Sequence, residues 1–393
     1  MAFKDMLAAV CCFGAIAAAG CGGGGGGAGA PSVPVVNPTR PPVSTATASP
    51  LNLPAVLFNY ANPPLPPYYT SAARQDNTPA DDPVTNAGAT LGRVLFWDTS
   101  LSINDTVACG VCHAQANGFT ANTQFSQGVA GFTTLHAMRL ANVRYYGPGT
   151  MFWDKSAASV EAQPLVPIQS TVEMGWDSAH GGLTALEAKL AQLSYYPPLF
   201  TQAFGDPAVT TTRMTDAIAQ FERSIISTGS RWDQGYALVY SPNAPQQNLD
   251  ADLPNFTAQE NRGRHLFMAP IASGGANCAA CHQPPTYALI GNSLTNGLDA
   301  GQTEVFKAPS LKNVGVTGPY MHDGRFATLA DVVTFYNSGI QAGPELDPRL
   351  QQSGQPIRLN LSASDQAAIV AFLQTLTDPT VLNGGPWSTP FNQ

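Results

Sequence analysis

Charge is scarce in this chain. Of 393 residues only 11% are Asp, Glu, Lys or Arg, against about 25% in an average soluble domain. Disorder of the whole chain is excluded, because disorder needs few apolar residues and high charge, and here 44% of residues are hydrophobic. A basic surplus is also missing. Eighteen Lys and Arg stand against 26 Asp and Glu, a net charge of −8, so the electrostatic footprint of a nucleic-acid binder is absent. No apolar run reaches the roughly 20 residues of a membrane span. No alternation of apolar and polar residues runs long enough to suggest a sheet core. Gly (37) and Pro (33) are frequent, yet below the roughly 25–30% share that marks a low-complexity chain. Seven cysteines, an odd number, do not read as a disulfide framework. The length suggests two domains and a tail.

What is present begins with an address. Residues 1–20, MAFKDMLAAVCCFGAIAAAG, carry Lys4 ahead of a short apolar core, the pattern of a secretory signal. Ala18-Ala19-Gly20-Cys21 resembles a bacterial lipobox, which implies cleavage before Cys21 and its lipidation. Gly22, in the place of an aspartate, implies sorting to the outer membrane. An ordinary signal peptide with a coincidental cysteine is the alternative. Residues 21–70, opening on six glycines and continuing in Pro, Ser, Thr and Ala, read as a flexible tether that makes no core. The expected location is the periplasm or cell surface, an oxidising compartment, with a lipid anchor to the membrane.

Four cysteines remain, in two pairs. Cys109-Gly110-Val111-Cys112-His113 and Cys278-Ala279-Ala280-Cys281-His282 are both C-x-x-C-H, the attachment signature of c-type haem. Two thiols three residues apart on one turn reach the two haem vinyl groups, and the next residue presents its imidazole to the iron. Redox dithiols or a zinc site are the rivals, but neither needs a histidine directly after the second cysteine.

The motifs sit in a duplication. Gly92-Arg93-Val94-Leu95-Phe96 is echoed by Gly263-Arg264-His265-Leu266-Phe267, and Leu140-Ala141-Asn142-Val143 through Gly147-Pro148 by Leu311-Lys312-Asn313-Val314 through Gly318-Pro319. Past the Gly-Pro, Trp153-Asp154 matches His322-Asp323. Thirteen residues after each Asp the copies differ: Pro167 in the first, Tyr336 in the second. Proline cannot ligate iron and tyrosine can. The asymmetry suggests one open, five-coordinate iron and one closed, six-coordinate iron; ordinary helix packing at both positions is the alternative.

Helical periodicity dominates. Residues 183–193, 211–226 and a final helix over 366–376, capped by the Ser362-Ala363-Ser364-Asp365 run, carry it. The polar, Pro-bearing stretch 240–255 reads as a boundary. The expected fold is mainly α: a tandem pair of cytochrome c-like helical domains, 71–245 and 246–393, each with one covalent haem.

At this point the chain resembles a known family, the bacterial di-haem cytochrome c peroxidases and their relative MauG. The resemblance covers about 86–377. It rests on Leu91-Gly92-Arg93-Val94-Leu95-Phe96-Trp97-Asp98, both haem motifs, Met151-Phe152-Trp153-Asp154, and the runs Lys307-Ala308-Pro309-Ser310-Leu311-Lys312-Asn313-Val314 and Gly318-Pro319-Tyr320-Met321-His322-Asp323-Gly324. It implies that hydrogen peroxide reacts at the N-terminal haem of His113, in a distal pocket formed by Gln163, Pro167 and Glu173. Glu173 would be the acid-base residue. Trp153 would relay electrons between the haems. The implied partner is an electron-donor cytochrome or an oxidisable protein or organic substrate.

Two departures matter. The family's peroxidases carry a histidine sixteen residues after the first haem histidine, which closes the resting iron. Here that position is Val129, and the nearest histidine, His136, has a different context. Those peroxidases ligate the second iron with Met, whereas this chain has Tyr336, as MauG does; Met321 is the rival ligand. Both departures point to MauG-like behaviour. The family also binds a calcium between the haems, for which backbone carbonyls of Thr317 and Pro319 are the implied ligands. The family's asparagine ligand has no clear counterpart, because Leu140 sits near its place. The expected function is an exported di-haem c-type peroxidase, with electrons relayed through the C-terminal haem. The alternatives are a MauG-like peroxide-dependent oxidase and a non-enzymatic di-haem electron carrier. An oxygen-using dioxygenase, like the rubber-cleaving di-haem enzymes, is a further reading for which this chain is short.

Overall fold

A computed structural model describes residues 49–392. The expected signal, Cys21 and most of the expected tether lie outside the described residues. From Ser49 onward the chain forms one compact unit. It is mainly helical. Among the described residues the ladders are two antiparallel pairs of two-residue strands, one of them Gln127–Gly128 against Gly131–Phe132.

The packing helices are α1 (Asn86–Trp97), α2 (Gly182–Ala191), α3 (Tyr196–Phe204), α4 (Thr211–Ser224), α5 (Arg231–Val239), α6 (Ala258–Met268), α7 (Leu329–Thr334), α8 (Ala363–Gln374) and α9 (Pro379–Asn383). Their starts follow from capping chemistry. Thr85, Thr210 and Ser362 each accept a backbone N–H of the first turn of α1, α4 and α8. Thr257 with Glu260, and Thr328 with Asp331, close reciprocal capping boxes on α6 and α7. Each such cap contributes about 0.5–2 kcal/mol. The helix expected to be final is followed by the short α9.

The duplication is visible in the packing. In the first copy α1 crosses α4; in the second, α6 crosses α8. Each crossing is made at a glycine. A Cβ on Gly92 would lie 1.8 Å from the Ala217 carbonyl oxygen, and one on Gly263 would lie 1.9 Å from that of Ala368. Beside the crossings, Phe96 packs on Phe221 with ring centroids 5.1 Å apart, and Phe267 on Phe372 at 5.2 Å. The neighbouring backbone cannot move as a flexible side chain can. Gly263→Ala is therefore expected to destabilise by at least the roughly 1–3 kcal/mol typical of core overpacking, read as a lower midpoint in urea unfolding.

Two large apolar clusters serve the two copies. One gathers Leu91, Val94, Leu186, Phe200 and Ile218. The other gathers Leu266, Phe267, Tyr287, Phe372 and Leu376. The second also takes in Tyr68 and Tyr69, so at the end of the stretch expected as tether these two side chains pack against the body. Tyr60 is buried too, and its hydroxyl donates to the Pro386 carbonyl at 2.5 Å. Tyr69 donates to the Ser227 carbonyl at 2.6 Å. Three tyrosines in a Pro-rich run supply the apolar area that a true tether lacks. A buried ion pair joins the copies as well: Lys312 Nζ lies 2.6 Å from Asp233 Oδ2 on α5, both side chains within 1% of full burial.

Candidate haem and peroxide site

Both C-x-x-C-H motifs lie on short helical turns, Cys109–Cys112 and Cys278–Ala280, which brings the two thiols of each pair to one side. All four are free. Burial is the main reason their thiols are pushed up, to about 11 for Cys281. Each motif histidine turns its Nδ1 to a backbone carbonyl a few residues on: His113 to Phe119 at 3.0 Å, His282 to Tyr287 at 3.3 Å. Nδ1–H as the donor leaves Nε2 for a metal, the usual arrangement of a ligating histidine; the tautomer is assigned from these partners. Burial lowers both imidazole pKa values, to about 4 for His282, where the Arg139 cation adds to the effect. A neutral imidazole is the form that binds iron. The donor set fits c-type haem at both motifs.

Around His282 lies a cavity of about 1320 Å³, its open mouth included. Cys278, Cys281, Met321 and Tyr336 line it, together with Trp153 from the first copy. Tyr336 stands on a π-helical turn, Phe335–Gly339, directly after α7. Such turns are rare and frequent at functional sites. The Asn296 amide donates to the Tyr336 hydroxyl at 3.4 Å and approaches Met321 Sδ at 3.7 Å. Both candidate ligands of the second iron therefore meet at one amide. Burial pushes the Tyr336 phenol up to about 12, and the Asn296 contact opposes this.

On the first side, Gln163 precedes the short helix Leu165–Gln169, Pro167 lies within it and Glu173 follows it. The Glu173 backbone is held at both ends. Its N–H donates to Ser170 Oγ at 3.2 Å, and its carbonyl accepts the Val129 N–H at 3.0 Å. Gly128 makes the close approach possible, since a Cβ there would lie 2.1 Å from the Val172 carbonyl. Burial raises the Glu173 carboxyl above its ordinary range. Its charge is felt at Cys112 and Cys109, so the carboxyl lies within electrostatic reach of the first motif. The position of the family's closing histidine thus holds an apolar Val129 bonded to Glu173. His136 is elsewhere: it is buried, with its ring on the Thr123 carbonyl (3.1 Å) and Thr120 Oγ1 (3.2 Å).

Trp153 joins the two sides. Its indole N–H donates to the His136 carbonyl at 2.7 Å, while its own carbonyl accepts the Lys307 N–H at 2.7 Å. Its ring lies 6.4 Å from that of His322, which stacks on Phe306 at 4.1 Å. A bonded route therefore runs from the second cavity through Trp153 and His136 to Thr120, whose carbonyl accepts the N–H of Ala114, next to His113. The side chain of Thr317 is taken by Arg139, and Leu140 turns into the apolar cluster of Phe96, Phe119 and Phe221. Among the described residues no group of three or more His, Cys, Asp or Glu is placed to hold a metal ion.

The sequence matches the family described as di-haem cytochrome c peroxidase over residues 86–238 and 257–379. The chain belongs to that family. It is a peroxide-acting oxidoreductase with two c-type haems. Among its relatives, methylamine utilization protein MauG of Methylophilus methylotrophus is 29% identical over 325 residues, covering 77% of this chain and 87% of that protein. Cytochrome c551 peroxidase of Nitrosomonas europaea is 30% identical over 314 residues, covering 74% and 79%. A crystal structure of a MauG-like protein associated with microbial copper homeostasis has a TM-score of 0.66 at 28% identity, over 80% of this chain and 96% of that one. Among the described residues no helix is long and apolar enough to cross a membrane.

Three members of this peroxidase's site escaped the sequence. Asn296 has no motif and no counterpart in the first copy. Arg139 meets Ser310 and Thr317 only through the fold. Lys307 belongs to a quoted run, but its buried amine, 3.2 Å from Met151 Sδ and 4.3 Å from the Tyr146 ring centroid, carried no signal of its own. A lysine followed by Ala-Pro in an apolar context was the only available hint.

Proposed function

We propose that peroxide is reduced at the haem of Cys109, Cys112 and His113, with electrons delivered through the haem of Cys278, Cys281 and His282. The observation that supports this reading is Val129 at the place of a closing histidine, its N–H bonded to the Glu173 carbonyl, beside a half-buried acid whose charge reaches the first motif. When bound, the first haem supplies the iron at which the peroxide O–O bond is cleaved. Glu173 accepts a proton from the incoming peroxide oxygen and delivers it to the departing one, so that two electrons and two protons yield two waters. Gln163 and Pro167 shape the space beside it and limit water. Trp153, through His136, supports electron passage between the sides. The donor is a small cytochrome, or a protein or organic substrate that is itself oxidised. Tyr336 favours the second, MauG-like use, because an anionic oxygen ligand stabilises ferric iron and lowers the second potential. The N-terminal pattern supports export, with anchoring of the body to the outer membrane through Cys21.

The resting ferric protein is expected to give one high-spin and one low-spin EPR signal and to change on adding peroxide. Two low-spin signals and no response to peroxide would identify an electron carrier instead. Tyr336→Phe is expected to abolish the original low-spin signal. If Met321→Leu abolishes it and Tyr336→Phe does not, Met321 is the ligand.

A further inference from the structure

The two copies differ at the carbonyl that holds each motif histidine. In the first copy it belongs to Phe119, whose ring packs on Phe96 with centroids 6.0 Å apart. In the second it belongs to Tyr287, which packs on Phe267 at 5.8 Å. A phenylalanine ring does not give up an electron at biological potentials, whereas tyrosine and tryptophan rings do. The ring behind the second histidine is therefore redox-active, and the one behind the first is not.

More such rings follow Tyr287. It meets Trp232 edge-on at 5.1 Å. Trp232, Tyr236 and Tyr240 stand four residues apart along α5 and its end, so they share one face. Their rings follow one another at 5.0 and 5.8 Å. Tyr68 reaches all three, at 6.0, 5.0 and 5.8 Å. These are contact distances for aromatic pairs. Electron transfer slows exponentially with the gap, so touching rings pass a charge far faster than one long step. Lys312 Nζ, 4.8 Å from the Trp232 ring, opposes a positive hole there, and Asp233, 2.6 Å from that ammonium, offsets it.

The far end of the series is a recess. Tyr68 and Tyr240 line a space of about 530 Å³, its open mouth included, with Pro66, Pro67, Ala237 and Asp233. None of these lines the cavity of His282. The size is that of a small-molecule site, and proline and tyrosine faces suit a flat ring. The Asp233 charge is already paired with Lys312, so the recess suits a neutral guest. The Tyr68 hydroxyl lies 3.2 Å from the Asp233 carbonyl and 3.5 Å from its Oδ1, so a carboxylate is at hand for its proton.

We propose that this recess binds an electron-rich phenol, which is oxidised at a distance from the second haem through Tyr68, Trp232 and Tyr287. An electron passes inward from Tyr68 along the rings, and the Tyr68 hydroxyl proton moves to Asp233 Oδ1. The bound phenol gives Tyr68 a hydrogen atom and leaves as a phenoxyl radical, and Asp233 releases its proton to water. Two phenols serve one peroxide: H2O2 + 2 ArOH → 2 H2O + 2 ArO•. This rests on the peroxide reaction proposed above and names the class of its organic substrate.

Guaiacol is the probe. Equilibrium dialysis of the resting di-haem holoprotein, without peroxide, is expected to show guaiacol bound. Ala237→Trp, which fills the recess, is expected to abolish that binding. With peroxide, the parent is expected to give an organic-radical EPR signal that ring-deuterated tyrosine narrows and guaiacol quenches. Trp232→Phe is expected to lose that radical and most of the guaiacol oxidation. Tyr68→Phe combined with Tyr240→Phe is expected to lose the guaiacol oxidation too. Guaiacol held equally well by Ala237→Trp overturns the proposal, as does undiminished guaiacol oxidation in Trp232→Phe. If Trp232→Phe does not fold, the double tyrosine variant and the dialysis decide. Failure of this proposal alone leaves the parent's spectral response to peroxide intact. A parent with no such response overturns the peroxide reading as well.

Discussion

Glu173→Gln is expected to slow the bimolecular reaction with peroxide by about 10²–10⁴-fold, the range of a lost general acid-base group. The substitution keeps size and hydrogen-bonding capacity. The backbone bonds of Glu173 to Ser170 and Val129 do not involve the changed atoms, so the fold and the resting spectrum should persist. The pH profile separates this role from a structural one. As the base, Glu173 must be ionised when peroxide arrives. Burial raises its pKa, so the parent rate should begin to fall on acidification at a higher pH than an exposed carboxylate would give. In Glu173→Gln that acid limb should vanish along with the rate. Stopped-flow measurement across pH reads both effects. A small loss of rate with the acid limb intact would show that another group moves the proton, and Glu222 would be the first to examine. It is buried, its charge is felt at Cys109, and burial pushes its carboxyl up to about 8.

The duplication explains why so much of this site was legible. Asn142 and Asn313 correspond in sequence, and both adopt the left-handed backbone, with φ of 61° and 64°, which Asn tolerates better than most residues. Each caps an equivalent 3₁₀ turn. The glycines at the two helix crossings and the Nδ1 bonds of the two haem histidines repeat in the same way. A pattern seen twice in one chain carries its own control. The parts that stayed hidden break the repeat or act across it. Tyr336 could be named from its spacing, but the π-helical turn that carries it could not. Asn296 comes from an irregular segment with no periodicity to read. Tyr68 and Tyr69 lie in a Pro-rich run that composition assigns to a tether, and only the second copy's core reveals what they bury. Arg139 is one cation in an unremarkable string until the fold sets it beside Thr317.

The largest expected loss of stability comes from a residue that touches no substrate. Lys312→Met should cost about 3–5 kcal/mol, the usual cost of removing one member of a buried ion pair. The ammonium of Lys312 is 2.6 Å from Asp233, 3.4 Å from Ser230 Oγ and 4.8 Å from the Trp232 ring centroid. Burial lowers its pKa and Asp233 opposes that shift. Without the lysine, the Asp233 carboxylate keeps its capping bonds to Ser230 N and Oγ and a long 3.5 Å contact from the Tyr68 hydroxyl, all from neutral donors. Those bonds hold the start of α5, so the stranded charge sits where the first copy meets the second. The double variant Asp233→Asn with Lys312→Met removes both charges. It should lose clearly less than the sum of the single changes, and that coupling is the measurement that matters. Additive losses in urea unfolding would mean that the pair contributes by packing alone. The segment carrying Lys312 continues into Val314, which lines the second haem cavity with Leu311. A loosened anchor should therefore broaden the low-spin EPR signal of the second haem before the global fold is lost, while leaving the high-spin signal of the first unchanged.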